Sequence, residues 1–350
     1  MAGESDEVLA RVEAGVGIIT LNRLKAINSL NQQMVDALIT TLTRWQDDDT
    51  VRTVMLFGAG ERGLCAGGDI VAIYHSARKD GVEARRFWRS EYLLNGQIAR
   101  FAKPYVSLMD GIVMGGGVGI SAHANTRVVT DTTQVAMPEV GIGFVPDVGG
   151  TYLLSRAPGA LGLHAALTGA PFSGADAIAL GFADHYVPHS DLNAFTRAVV
   201  ADGINSALAG FAIEPPPSDL AAQRDWIDEC YVGDTVEDIV AALRSHDAEP
   251  AEDAATLITS RSPVALSVTL QAVRRAAKLE TLEDVLTQDY RVSSASLRSH
   301  DLVEGIRAQL IDKDHNPKWS PTTLAEVTTA DIDAYFQPID DDLNFKEDHT

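Results

Sequence analysis

Two carboxylates eight residues apart follow two glycine-rich segments. The carboxylates are Glu139, in Met137-Pro138-Glu139, and Asp147, in Val145-Pro146-Asp147-Val148-Gly149-Gly150. The segments are Cys65-Ala66-Gly67-Gly68-Asp69 and Gly115-Gly116-Gly117-Val118-Gly119. Glycine backbone can come close to a ligand and offer it N–H groups. Two such groups from separate loops make an oxyanion hole for an enolate or a tetrahedral oxygen. Carboxylates nearby supply acid, base or nucleophile. The combination points to acyl chemistry without a metal.

Each residue also has a plainer reading. Glu139 follows a proline and has apolar flanks, Val135, Ala136 and Met137 before it and Val140 and Ile142 after it. Such surroundings raise a carboxyl pKa towards neutrality, yet alone Glu139 reads equally as a loop residue. Asp147 alone reads as the N-cap of the next helix. The glycine run reads otherwise as a tight turn or close helix–sheet packing. Gly117, Gly119 and Ala122 fit the Gly-x-Gly-x-x-Ala spacing of dinucleotide sites, but more than 110 residues into the chain and within adjacent glycines, which makes the match weak. Cys65 has no evident histidine partner and reads as small-residue packing. The histidines show no metal spacing, and His185 and His189 straddle Pro188.

The elements that must position these residues alternate. Residues 16–21, 53–57, 105–109, 126–130, 134–136 and 184–187 read as strands. Asn31 reads as the cap of a helix with apolar Met34, Val35, Leu38, Ile39, Leu42 and Trp45. Residues 83–100 read as an amphipathic helix, Val118–Ala124 as a helix start, and 150–181 as helical with Gly181 as its C-cap. Alternation over about 190 residues gives an α/β core rich in parallel sheet. Beyond Pro215-Pro216-Pro217, a linker or stiff bend, segments 218–230, 235–246, 251–259, 263–278, 281–298 and 300–310 read as helices. Ser262 before Pro263, and Thr281 with Asp284, read as helix starts. The expected division is a catalytic core over 1–212 and a mainly helical region over 218–350.

Composition is that of a globular chain of 350 residues, 45% hydrophobic and 22% charged. The net charge of −21 argues against nucleic acid and anionic membranes as partners. It leaves room for an anionic small ligand at a local basic patch. The acidic start lacks an apolar leader, and Tyr105–Ala122 is too interrupted to span a membrane. Two cysteines, Cys65 and Cys230, fit a reducing compartment, and a cytoplasmic location is expected.

Three segments resemble the crotonase (enoyl-CoA hydratase/isomerase) superfamily. They are Leu21-Asn22-Arg23-Leu24-Lys25-Ala26-Ile27-Asn28, then Cys65 to Ile70, then Met114 to Gly119, with Met137-Pro138-Glu139 continuing the match. The resemblance implies a (ββα)n spiral core and an acyl-CoA substrate, with no cofactor beyond the CoA of that substrate. It is closest to the superfamily's thioester hydrolases of short 3-hydroxyacyl-CoA, with 3-hydroxyisobutyryl-CoA of valine breakdown as the implied substrate. Asp147 is typical of those hydrolases, Gly119 stands where hydratases carry a first catalytic glutamate, and Gly305–Asp314 with Asn316-Pro317-Lys318-Trp319 resembles the hydrolase tail. By the same resemblance Gly68 and Gly116 give oxyanion N–H groups. Glu139 attacks the thioester or activates water, while Asp147 transfers a proton and holds the substrate hydroxyl. Arg23, Lys25, Ala26, Ala66, Asp69, Ile70 and Gly119 line the substrate. Leu24 departs from a common proline. The rivals are an enoyl-CoA hydratase or isomerase, and a catalytically silent CoA-binding member. The superfamily implies homo-oligomers, while the longer tail implies cover for that surface.

Overall fold

Aliphatic and β-branched runs build two sheets in the computed structural model, which describes residues 6–345. The expectations for the first five residues and for the last five of the acidic stretch 331–350 lie outside the described residues. The strands are β1 (Val8–Glu13), β2 (Val16–Leu21), β3 (Thr53–Gly58), β4 (Tyr105–Met109), β5 (Ile112–Met114), β6 (Thr126–Val129), β7 (Gln134–Ala136), β8 (Phe172–Ser173) and β9 (His185–Tyr186). The larger sheet runs β1-β2-β3-β4-β6-β9 and the smaller β5-β7-β8. β1 pairs antiparallel with β2, and the other neighbours in the larger sheet pair in parallel. All six residues of β2 are buried, as a strand covered on both faces requires.

By packing, the chain forms two compact units. The first holds residues up to Gly68, Leu93–Val135 and Phe172–Asp219. Its core gathers Val16, Ile18, Met55, Val106, Leu108 and Val128 of the sheet with Phe195 and Val199 of the helix Leu192–Asp202. The second holds Asp69–Tyr92, Ala136–Pro171 and the chain from Leu220. One of its cores joins Val145 to Val264, Val268, Ala272, Val292 and Phe336.

Local signals place the helices well. The Asn31 side chain accepts the Met34 N–H at 2.9 Å and starts the helix Gln32–Gln46. Ser262 caps Pro263–Ala276 and Thr281 caps Leu282–Ser296. From residue 220 every element is helical, and among the described residues no strand follows Tyr186.

Two expectations need correction. Residues 150–181 form three short helices, Gly150–Leu154, Leu161–Thr168 and Gly174–Ala179, with β8 before the last. Pro158 and the left-handed Gly169 break the periodicity. The helix expected from Val118 spans Gly116–Ser121 instead, beginning inside the glycine run. Among the described residues no helix is long and apolar enough to cross a membrane.

Candidate active site

The glycine half of the expected site lies in the first unit. Cys65 is stitched to β5, its N–H donating to the Ile112 carbonyl at 3.1 Å and its carbonyl accepting the Met114 N–H at 3.0 Å. The Leu30 N–H donates to the Gly67 carbonyl at 2.8 Å. Gly67 has φ +106°, a backbone that side chains disfavour. A Cβ there would lie 3.3 Å from the Met114 carbonyl oxygen and 3.8 Å from the Gly116 nitrogen. A Cβ on Gly117 would lie 2.5 Å from the Cys65 carbonyl oxygen. The two glycine segments are therefore neighbours that only residues without side chains allow. The helix begins at Gly116, so the Gly116 and Gly117 N–H groups stand at its N-terminal end, where no intrahelical acceptor exists. The Cys65 thiol donates to the Gly67 carbonyl at 3.5 Å and is buried.

Arg23 sits before the one-turn helix Leu24–Ala26. Its Nη1 donates to the Ser29 carbonyl at 3.0 Å and its Nε lies 3.4 Å from Glu7. Lys25 is exposed and Ala26 and Ala66 are half-buried. Arg62, which the motifs did not single out, donates to the Leu24 carbonyl at 2.8 Å and adds a second exposed cation to this turn. Gly119 is buried inside the helix Gly116–Ser121. In the second unit, Asp69 accepts the Ala72 N–H at 3.1 Å and so caps Ile70–Ala77.

The carboxylate half lies in the second unit. Glu139 opens the single turn Glu139–Ile142, pre-set by Pro138, and its carbonyl accepts the Phe144 N–H at 3.0 Å. Phe144 stacks on Trp88 with ring centroids 5.3 Å apart. Trp88 belongs to the helix Val82–Ala99, whose buried face also carries Glu91 and Tyr92. The Tyr92 hydroxyl donates to an Asp147 oxygen at 2.5 Å and lies 2.7 Å from Ser293 Oγ. Asp289, on the helix Leu282–Ser296, accepts the Gly149 N–H and the Thr151 hydroxyl, each at 2.9 Å.

Glu91, Glu139, Asp147 and Asp289 are all at most 6% exposed. Burial disfavours their charged forms. Asp147 is pushed up to about 7 by burial, against the lowering pull of the Tyr92 hydroxyl. Burial drives Glu139, Glu91 and Asp289 well above the carboxylate range, and the charge of Asp147 raises all three further. Glu139 Oε2 and Glu91 Oε1 are buried with no hydrogen-bond partner among the described residues. Such atoms carry a desolvation cost that a ligand group can relieve.

Sequence motifs pointed to Glu139 and Asp147 but not to Glu91, Tyr92, Asp289 or Ser293. One signal was present. Trp88, Glu91, Tyr92 and Asn95 share one helical face by spacing, and a Glu and an Asn on an aromatic face are out of place.

The family model for enoyl-CoA hydratase/isomerase matches residues 16–336. A relative from Xenopus laevis named 3-hydroxyisobutyryl-CoA hydrolase, mitochondrial, is 40% identical over 331 residues, 91% of this chain and 86% of the relative. The crystal structure of a carnitinyl-CoA dehydratase from Mycobacterium thermoresistibile matches with TM-score 0.96 and 70% identity, covering 98% of this chain and 100% of that one. That of an enoyl-CoA hydratase from Rhodobacter sphaeroides 2.4.1 matches with TM-score 0.90 and 38% identity, covering 95% and 98%. The α/β fold with its helical C-terminal region is shared with these proteins.

Proposed function

The chain belongs to the enoyl-CoA hydratase/isomerase family, and we propose that it hydrolyses a short-chain 3-hydroxyacyl-CoA thioester. The substrate proposed is 3-hydroxyisobutyryl-CoA, giving 3-hydroxyisobutyrate and CoA, a step of valine breakdown. The observation that carries the reading is the buried pair Glu139 and Asp147, coupled in charge, with Asp147 held by the Tyr92 hydroxyl. Like charges in one dry site cannot both form cheaply, so the pair holds one proton over a wide pH range.

A pair with one proton is both base and acid. In the microstate with the proton on Asp147, Glu139 takes a proton from water as the water oxygen attacks the carbonyl carbon; where Glu139 itself attacks, the mixed anhydride it forms is then hydrolysed by a water that the ionised Asp147 deprotonates. The carbonyl oxygen gains charge, which the Gly68 and Gly116 amides are proposed to hold. The C–S bond then breaks, and the proton on Asp147 goes to the leaving thiolate. Arg23, Lys25, Ala26, Ala66, Asp69, Ile70 and Gly119 are proposed to line the substrate. Water is the only co-reactant, so the reaction needs no cofactor.

A second reading is reversible hydration of an enoyl-CoA. It is favoured by Glu91, a second glutamate in the charge cluster of Glu139, and it agrees with the names of the two solved structures. Gly119, where hydratases carry a glutamate, weighs against it. Thiol release from 3-hydroxyisobutyryl-CoA, measured beside hydration of crotonyl-CoA, separates the two. Thiol release without hydration is expected, and hydration alone would overturn the hydrolase reading.

A cytoplasmic location is proposed from the low cysteine content, Cys65 and Cys230 alone. The word mitochondrial belongs to the vertebrate relatives. Fractionation of the source cells tests this. A homo-oligomer is proposed from the family alone, and its mass by light scattering tests that.

A further inference from the structure

Asp147 is followed by two residues in the left-handed region, Val148 at φ +53° and Gly149 at φ +75°. The Gly150 N–H closes the turn onto the Asp147 carbonyl at 2.7 Å. Glycine takes this backbone readily. A β-branched residue is held there only when its surroundings over-determine it. The helix Gly150–Leu154 that follows has no capping side chain at its own N-terminus.

Asp289 supplies both needs from elsewhere in the chain. Its Oδ2 accepts the Gly149 N–H and its Oδ1 accepts the Thr151 hydroxyl. One carboxyl group thereby clamps the turn and caps the short helix. One helical turn further on, Ser293 meets the Tyr92 hydroxyl that donates to Asp147. A single face of Leu282–Ser296 therefore reaches the Asp147 turn twice, at the Gly149 backbone and through Tyr92, the side-chain partner of Asp147.

We propose that Asp289 is a positioning residue, clamping the Val148-Gly149 turn so that the Asp147 carboxyl keeps one orientation through turnover. The proposal rests on the role given to Asp147 above. The charge of Asp147 acts on Asp289, and Glu139, Glu91 and the Tyr92 hydroxyl complete the titrating cluster. A neutral group in its place lifts a charge that opposes ionisation of Glu139.

The test is steady-state thiol release by the full chain carrying Asp289→Ala, Asp289→Asn or Thr151→Val, from pH 5.5 to 9, with amide hydrogen exchange at residues 147–151. The alanine variant is expected to lose tenfold or more in kcat with KM within twofold, and to exchange the Gly149 amide faster. The asparagine variant retains an acceptor for that amide. It should recover most of the loss and move the acid limb to lower pH. Thr151→Val removes one anchor at nearly constant shape and should fall between. It decides the matter if the alanine variant does not fold. Wild-type kcat in Thr151→Val and Asp289→Ala, or an asparagine variant no better than alanine, overturns the proposal. Should the wild type release no thiol, the hydrolase reading fails, and the same variants are read on crotonyl-CoA hydration instead.

Discussion

The Tyr92 hydroxyl stands 2.5 Å from an Asp147 oxygen, and both side chains are buried. An O–H donor this close to a carboxylate favours the charged form, and such bonds are roughly twice as strong as neutral ones. Burial pulls the other way, and Asp147 ends at about 7. Tyr92 itself stays protonated, because burial and the Asp147 charge push its hydroxyl well above its ordinary value. Tyr92→Phe removes the donor and leaves the ring. Asp147 then ionises at higher pH and keeps the proton it gives to the leaving thiolate, so the basic limb of kcat/KM moves up by about one pH unit, while loss of the bond that orients the carboxyl lowers kcat ~10-fold. A pH profile on this variant checks both, and a profile matching wild type removes the hydrogen bond from the mechanism.

Glu139→Gln keeps the shape of the side chain and takes away its base. General-base and nucleophilic roles are worth ~10²–10⁴ in rate, so kcat is expected to fall by about a thousandfold or more. Binding of the CoA ester, read by calorimetry, should stay within about threefold, because the variant loses transition-state rather than ground-state contacts. Asp147→Asn should lower kcat less than Glu139→Gln. Unchanged kcat in Asp147→Asn would reduce Asp147 to a turn residue.

What was legible in the sequence was local. Asn31, Ser262 and Thr281 each cap the helix that their spacing announced, because a cap needs only the next three residues. The buried strands announced themselves by continuous apolar runs. β1 did not, because five of its six residues are exposed and its alternation is blunted. Asp289 is on no motif. It works on Gly149 and Thr151 across about 140 residues of chain, and a single sequence shows no such pairing. Glu91 is hidden similarly. An amphipathic face explains Trp88 and Tyr92, and only the burial of the glutamate between them marks it as more than helix surface.

Gly117→Ala tests the contact between the glycine segments. The added Cβ falls 2.5 Å from the Cys65 carbonyl oxygen, a backbone atom that cannot swing aside. Overpacking of this kind costs ~1–3 kcal/mol, so Tm is expected to drop by several degrees. The neighbouring Gly116 amide is displaced with it. If that amide holds the thioester oxygen, kcat falls by up to ~10²–10³ beyond what the stability loss explains. Thermal melts paired with kcat on the folded fraction separate the two effects. A wild-type Tm would mean that the Cys65 loop yields freely, which the stitching to β5 argues against.

Glu91→Gln gives the charge cluster a stability signature. Glu91 is 2% exposed, one oxygen lacks a partner among the described residues, and burial followed by the charges of Asp147 and Glu139 pushes it well above its ordinary value. A carboxyl whose folded pKa is raised binds its proton more tightly in the folded state. Its contribution is complete below the unfolded pKa of about 4.3 and is lost as pH rises towards the folded value. Wild-type stability should therefore decline from about pH 5 upward. Glutamine fills the same space and has no proton to lose. The variant should gain stability over wild type at pH 8 and little at pH 5. Urea midpoints at the two pH values measure this. A gain equal at both would mean that charge is not the cause. A gain confined to pH 8, accompanied by slower turnover, would show that this buried acid is retained for chemistry at the expense of stability.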